Sequence, residues 1–236
     1  TMERVSTIGE VATAKMLARL LSATPLAAAG PVQFSILDIH ALQEQFYFSD
    51  LVHLRLKSCI AMLRDRLLAL PDAGSVTITF PDEGAYKRFG GKLDTFGEPV
   101  VCVKRRDGDA RRVVISDGAP AGRHCVIVDD LVQTGGTLLE CAAALLDAGA
   151  AAVSAYVTHA VFPNASYHRF LHPVAAAGEG VAAAAAATPA HSSREVRLRH
   201  FFITNSMPLV AAAVAGRAPF EVLSIAPIVE DILGCP

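Results

Sequence analysis

The chain has 236 residues, a formal net charge of -2 and 52% hydrophobic residues, enough apolar material for one large domain or a domain and a half. The near-balanced charge, with no basic run or aromatic-interleaved basic patch, gives no electrostatic footprint for nucleic acid. No apolar run is long enough to predict a membrane-spanning helix, and the five cysteines have neither zinc nor C-x-x-C spacing.

In chain order, apolar residues at helical spacing predict a helix over 11–21, with Lys15 and Arg19 on its other face. A strand over 32–37 ends in Asp38-Ile39-His40, an acid and a histidine two residues apart and therefore on one side. Alone, that pair reads as a capping acid and a structural histidine. Residues 51–70 read as one long helix, and Pro71, Asp72 and Gly74 mark a turn and domain boundary. A strand over 76–80 leads into Pro81-Asp82-Glu83-Gly84, by itself a turn. Residues 86–96 read as a basic amphipathic helix with a solvated face. The strand at 100–103 runs into Lys104-Arg105-Arg106, either a solvated hairpin tip or a clamp on phosphates, and residues 111–115 return as a strand.

The most informative stretch is C-V-I-V-D-D-L-V-Q-T-G-G-T, residues 125–137. Val126, Ile127 and Val128 suit a strand buried on both faces, with Cys102 and Cys125 as buried thiols of a reduced compartment. A helix over 138–147 capped by Gly149, then a strand over 153–157, completes a βαβ unit. Thr134-Gly135-Gly136-Thr137 therefore lies at the carboxyl end of a parallel strand, where ligands bind in open α/β sheets. Paired glycines let backbone N–H groups approach an anion, and the threonine hydroxyls add donors. Asp129 and Asp130 would repel a phosphate but can accept hydrogen bonds from hydroxyls, so the combination points to a sugar phosphate. Downstream, Thr158-His159 ends a strand. Residues 174–193 form an Ala-rich stretch expected to be a surface insertion. Strands at 197–204 and 220–225, a turn at 205–208 and a helix over 226–233 close the chain.

V-I-V-D-D-L-V-Q-T-G-G-T resembles the ribose-phosphate binding loop shared by phosphoribosyltransferases and phosphoribosyl pyrophosphate (PRPP) synthetases. D-I-H-A-L-Q-E-Q-F-Y-F-S-D, residues 38–50, is similar to the magnesium–ATP segment of the synthetases and has no equivalent in the transferases. Its F-Y-F form is closest to plant- and protist-type synthetases. P-D-E-G resembles their P-D-x-G segment, and K-R-R stands where they have a flexible catalytic loop. Gln133 replaces an acidic residue usual in the bacterial type. The resemblance implies an α/β protein of two phosphoribosyltransferase-like, parallel-sheet, three-layer domains, residues 1–70 and 71–236. The first is incomplete, because T-M-E-R-V-S-T resembles the middle of the family's first domain.

The implied activity is ribose-phosphate diphosphokinase, moving the diphosphoryl group of ATP to the 1-hydroxyl of ribose 5-phosphate. The resemblance assigns Asp129, Asp130, Thr134, Gly135, Gly136 and Thr137 to ribose 5-phosphate. It assigns Asp38, His40, Asp50 and Asp82 to ATP and Mg2+, and Lys104, Arg106 and His40 to catalysis. It also implies a homo-oligomer or a hetero-oligomer with other synthetase subunits. A cytoplasmic location is expected, with an organelle left open. Two alternatives stand beside this reading: a non-catalytic synthetase-associated subunit, and a PRPP-using phosphoribosyltransferase.

Overall fold

The computed structural model describes residues 7, 9–28, 30–107, 110–172 and 196–234, so the expected Ala-rich insertion lies outside the described residues. The elements run α1 (Thr13–Ser22), β1 (Val32–Leu37), β2 (Val52–Lys57), α2 (Ile60–Leu68), β3 (Val76–Phe80), α3 (Glu83–Phe89), β4 (Val100–Asp107) and β5 (Ala110–Asp117). They continue through β6 (His124–Val132), α4 (Gly136–Asp147), β7 (Ala152–Ala160), β8 (Phe201–Thr204), α5 (Pro208–Val214), β9 (Phe220–Leu223) and α6 (Ala226–Leu233). Two compact units result: residues 1–62 with 224–236, and residues 63–223.

In the first unit, β1 and β2 pair in parallel, from Val32 opposite Val52 to Leu37 opposite Lys57. This corrects the single long helix expected over 51–70. V-H-L-R-L-K alternates apolar and polar residues with the period of a strand, and Val52 is buried while His53 and Arg55 are exposed. Only residues 60–68 have helical form. Lys57 also reaches Asp231 of α6 at 2.7 Å.

The second unit is built on a seven-stranded sheet of order β5-β4-β3-β6-β7-β8-β9. Every neighbouring pair is parallel except β4–β5, which is an antiparallel hairpin. The architecture is thus the expected mostly parallel α/β fold. β6 and β7 occupy the centre, and their β-branched and small residues are buried on both faces. Cys125 and Ile127 join Leu138, Cys141 and Leu145 of α4 in one core that extends to Phe201 and Phe220. Burying a side chain such as Leu145 contributes about 1.5–3 kcal/mol. Cys59, Cys102, Cys125 and Cys141 are buried free thiols.

The amino end of the sheet is closed by a hydrogen-bonded cluster. His124 Nε2 lies 2.8 Å from Ser154 Oγ, and its Nδ1 lies 3.0 Å from Asp72 Oδ2. The same Asp72 oxygen accepts from Arg199 Nη1 at 2.6 Å, and the His200 N–H donates to Ser154 Oγ at 3.0 Å.

Three further expectations change. The helix predicted over 86–96 begins earlier and stops at Phe89, because Gly90-Gly91 cannot hold helix well and short 310 turns follow at 90–92 and 94–96. Lys104 and Arg106 stand on β4 itself, opposite Val113 and Arg111 of β5, so the cationic run is part of a ladder and not a loop. The strand expected over 197–204 is regular only from Phe201, and the turn at 205–207 leads into α5. Among the described residues no helix is long and apolar enough to cross a membrane.

Candidate active site

The β6–α4 connection has the expected geometry. Gly135 adopts φ of 78°, and a Cβ placed there would run into the Phe170 ring, so glycine is needed both for the backbone and for the ring beside it. Residues 163–170 brace the loop from outside. Arg169 Nη1 donates to the Thr134 carbonyl at 2.8 Å, and Ser166 Oγ donates to the Gln133 carbonyl at 3.1 Å. These two carbonyls are thereby engaged by donors and are less able to repel an anion. α4 starts at Gly136 with no side chain capping its first turn, which leaves the helix N-terminus suited to a phosphate. Thr134 is exposed and Thr137 half-buried.

Asp129 and Asp130 lie inside β6, and they are not equivalent. The Asp129 side chain is 24% exposed and that of Asp130 is 1% exposed. Arg88 of α3 serves both: its Nη2 is 2.7 Å from Asp130 Oδ1 and 3.4 Å from Asp129 Oδ1. The Asp130 N–H donates to Asp129 Oδ1 at 2.9 Å, tying the pair together. Arg88 is itself positioned over the Phe89 ring at 5.3 Å, and its Nε reaches the Gly84 carbonyl at 3.4 Å. Burial, followed by the hydrogen bond and charge of Asp130, pushes the Asp129 carboxyl well above the usual carboxylate range, and Asp82 adds to this. Asp82 caps α3, accepting from the Ala85 N–H at 2.9 Å.

In the first unit, Asp38 follows β1 with a positive φ of 42°. It turns both carboxylate oxygens onto the connection between β2 and α2. Oδ1 accepts from Ser58 Oγ at 2.6 Å and Oδ2 from the Cys59 N–H at 2.9 Å. His40 is half-buried just beyond, at the carboxyl end of the β1–β2 pair. Asp50 is exposed and precedes β2, at the opposite end of the same pair, about 20 Å of strand away. Asp50 is therefore not brought together with Asp38 and His40. In the second unit, His159 Nδ1 meets Ser206 Oγ at 3.0 Å, and that hydroxyl donates to the Thr158 carbonyl at 2.9 Å, which gives His159 a structural partner.

A phosphoribosyl transferase domain model matches residues 88–169. The chain is 51% identical over 226 residues to ribose-phosphate pyrophosphokinase 3, chloroplastic, of Oryza sativa subsp. japonica, covering 96% of this chain and 51% of that protein. It is 49% identical over 233 residues to ribose-phosphate pyrophosphokinase 4 of the same plant, covering 99% of this chain and 66% of that one. The chain belongs to the ribose-phosphate pyrophosphokinase family. It spans about half to two thirds of the length of the curated relatives it matches. Its fold is similar to that of phosphoribosylpyrophosphate synthetase from Mycobacterium smegmatis, with a TM-score of 0.70 over 96% of this chain and 64% of that chain, at 22% identity.

Within this family member, the second unit gathers the glycine-containing loop at 134–137 and both β6 acids, and Asp82 lies near enough to influence Asp129 electrostatically. Lys104 is exposed on β4, one strand beyond β3 in the same sheet. Sequence reading missed Arg88, expected on a solvated face but only 13% exposed. The available signal was faint: α3 begins directly after P-D-E-G at a strand's carboxyl end, so its first two turns flank the neighbouring strand's acids. Phe170 and Arg169 were missed as supports of the loop because the contacts span 35 residues.

Proposed function

We propose that this chain catalyses, with whatever else its full-length protein contributes, transfer of the β,γ-diphosphoryl group of ATP to the 1-hydroxyl of ribose 5-phosphate. The products are PRPP and AMP, for nucleotide biosynthesis. The observation that carries the reading is the uncapped α4 N-terminus behind a glycine held at positive φ, with the partly exposed Asp129 carboxylate beside it. Thr134, Gly135, Gly136 and Thr137 hold the 5-phosphate, and the β6 acids serve the ribose hydroxyls. Lys104 and Arg106 meet the charge that spreads over the transferring phosphoryl oxygens, while Asp38 and His40 serve ATP. Such a transfer depends mainly on alignment and charge stabilisation, which these residue types supply.

Magnesium fits in a limited way. Among the described residues no group of three or more His, Cys, Asp or Glu could hold a metal ion, so these residues offer no all-protein cage. A magnesium ion carried on ATP needs only one or two carboxylates besides phosphate and water oxygens, and Asp82 is a suitable donor. The chemistry it supplies when bound is neutralisation of phosphoryl charge.

Residues 1–70 and 71–236 are read as the two family domains, in an oligomer, with an organelle location standing beside a cytoplasmic one because some relatives are named chloroplastic or mitochondrial. The test is to incubate the chain with ATP, ribose 5-phosphate and Mg2+ and to measure AMP and PRPP together. Equal formation of both is expected. A chain that binds ribose 5-phosphate, forms no product and co-purifies with an active synthetase would instead be a non-catalytic subunit.

A further inference from the structure

The β6 acids differ in a way that their sequence does not reveal. Asp130 is shut off from solvent and paired at 2.7 Å with Arg88, whereas Asp129 keeps an exposed edge. Taking a cation away from beside a buried carboxylate is strongly unfavourable. A ribose diol is neutral and cannot replace it. The guanidinium must therefore remain when sugar arrives, and only Asp129 has the exposure to meet a hydroxyl. The two acids are also joined mechanically, since the Asp130 N–H donates to Asp129 Oδ1 at 2.9 Å.

We propose that Arg88 is a positioning residue for ribose recognition: it stays paired with Asp130 in the bound state and, through that pair and its longer contact to Asp129, sets Asp129 as the carboxylate that faces the sugar. The proposal rests on the reading of this loop as a ribose 5-phosphate site. It divides the recognition in two, a sugar part that depends on Arg88 and a phosphate part at Gly135 and Gly136 that does not. Arg88 touches Asp129 and Asp130, while the loop's braces come from Ser166, Arg169 and Phe170.

The experiment titrates the whole chain with ribose 5-phosphate, and separately with inorganic phosphate, following the Gly135 and Gly136 amides by NMR. Wild type, Arg88→Gln and Arg88→Lys are compared. Arg88→Gln is expected to weaken ribose 5-phosphate on the order of tenfold, as loss of a supporting shell does, and to leave inorganic phosphate unchanged. Arg88→Lys keeps a charge but loses the fork that reaches both acids, and is expected to fall between. If Arg88→Gln fails to fold, the lysine variant still decides the matter by the same split. Unchanged ribose 5-phosphate affinity in both variants overturns the proposal, and so does parallel loss of both ligands, which marks a merely structural arginine. A wild-type chain that takes inorganic phosphate no more weakly than ribose 5-phosphate overturns the functional reading itself, and the proposal with it.

Discussion

At the amino end of β6, an aspartate, a histidine, a serine and an arginine complete one another. At the carboxyl end of the same region, two aspartates share one arginine, and one of them keeps an exposed edge. Both ends contain the residue types of a chemical site, yet their surroundings differ. His124 and Ser154 are fully buried, and each has partners within the protein. The other end has an uncapped helix terminus and a carboxyl that burial and its neighbour make uncomfortable as an anion. The difference teaches that a Ser–His–Asp arrangement with nothing left to bind is a fastening. A site is recognised by what it leaves incomplete.

The largest effect is expected at the carboxyl end. Gly135→Ala adds a Cβ at positive φ against the Phe170 ring, which should cost about 2–5 kcal/mol and remove ribose 5-phosphate binding. Urea unfolding and calorimetric titration check the two parts, and an unchanged unfolding midpoint would show that the ring gives way. At the amino end, Asp72→Ala leaves His124 and Arg199 without their shared acceptor. A loss of about 1–3 kcal/mol is expected, with ribose 5-phosphate affinity untouched. If affinity falls as well, the two ends are not independent.

Smaller and opposite in sign is the response to pH. Burial holds His124 below the ordinary histidine value in spite of Asp72, so below about pH 6.5 the unfolded chain takes up the proton first and stability falls with pH. Burial alone would raise Asp72. His124 and Arg199 together hold it low, and with His124 neutral near pH 7 the effective cation there is Arg199. Loss of that contribution follows only as pH falls below the ordinary aspartate range. Asp129 behaves oppositely: its raised value means that the folded chain takes up the proton first, so stability is gained as pH falls through that value. Asp129→Asn should therefore leave neutral-pH stability equal or higher, weaken ribose 5-phosphate about tenfold, and expose a steeper acid decline from His124 alone. Urea midpoints from pH 8 to 5 measure this, and parallel curves for variant and wild type would refute the assignment.

Much of this was legible because it is written locally. β-branched runs gave β3 and β6, Gly149 ended α4, and the loop at 134–137 was found from its own residues. The long helix over 51–70 failed for a local reason too: Arg55, Lys57, Arg64 and Arg66 interleave with apolar residues along the whole stretch and hide the alternation of 52–57, and only β1 as a partner makes that segment a strand. Arg88, Phe170 and the His124 cluster were not legible. Their partners lie 30 to 127 residues away along the chain, and nothing in a basic helix says which of its cations turns inward.

The bracing of the loop by Ser166, Arg169 and Phe170 has one more consequence. Ordering a flexible loop around a ligand consumes part of the binding energy, because the backbone entropy is lost at that moment. Here the loss is already met when the chain folds, so on the proposed reading an anion encounters a surface of settled shape. On the proposed reading, affinity for the phosphate then depends in part on residues that brace the loop from outside. Cutting the Arg169 contact would act on the freedom of the empty loop and would leave the contacts of the filled one intact.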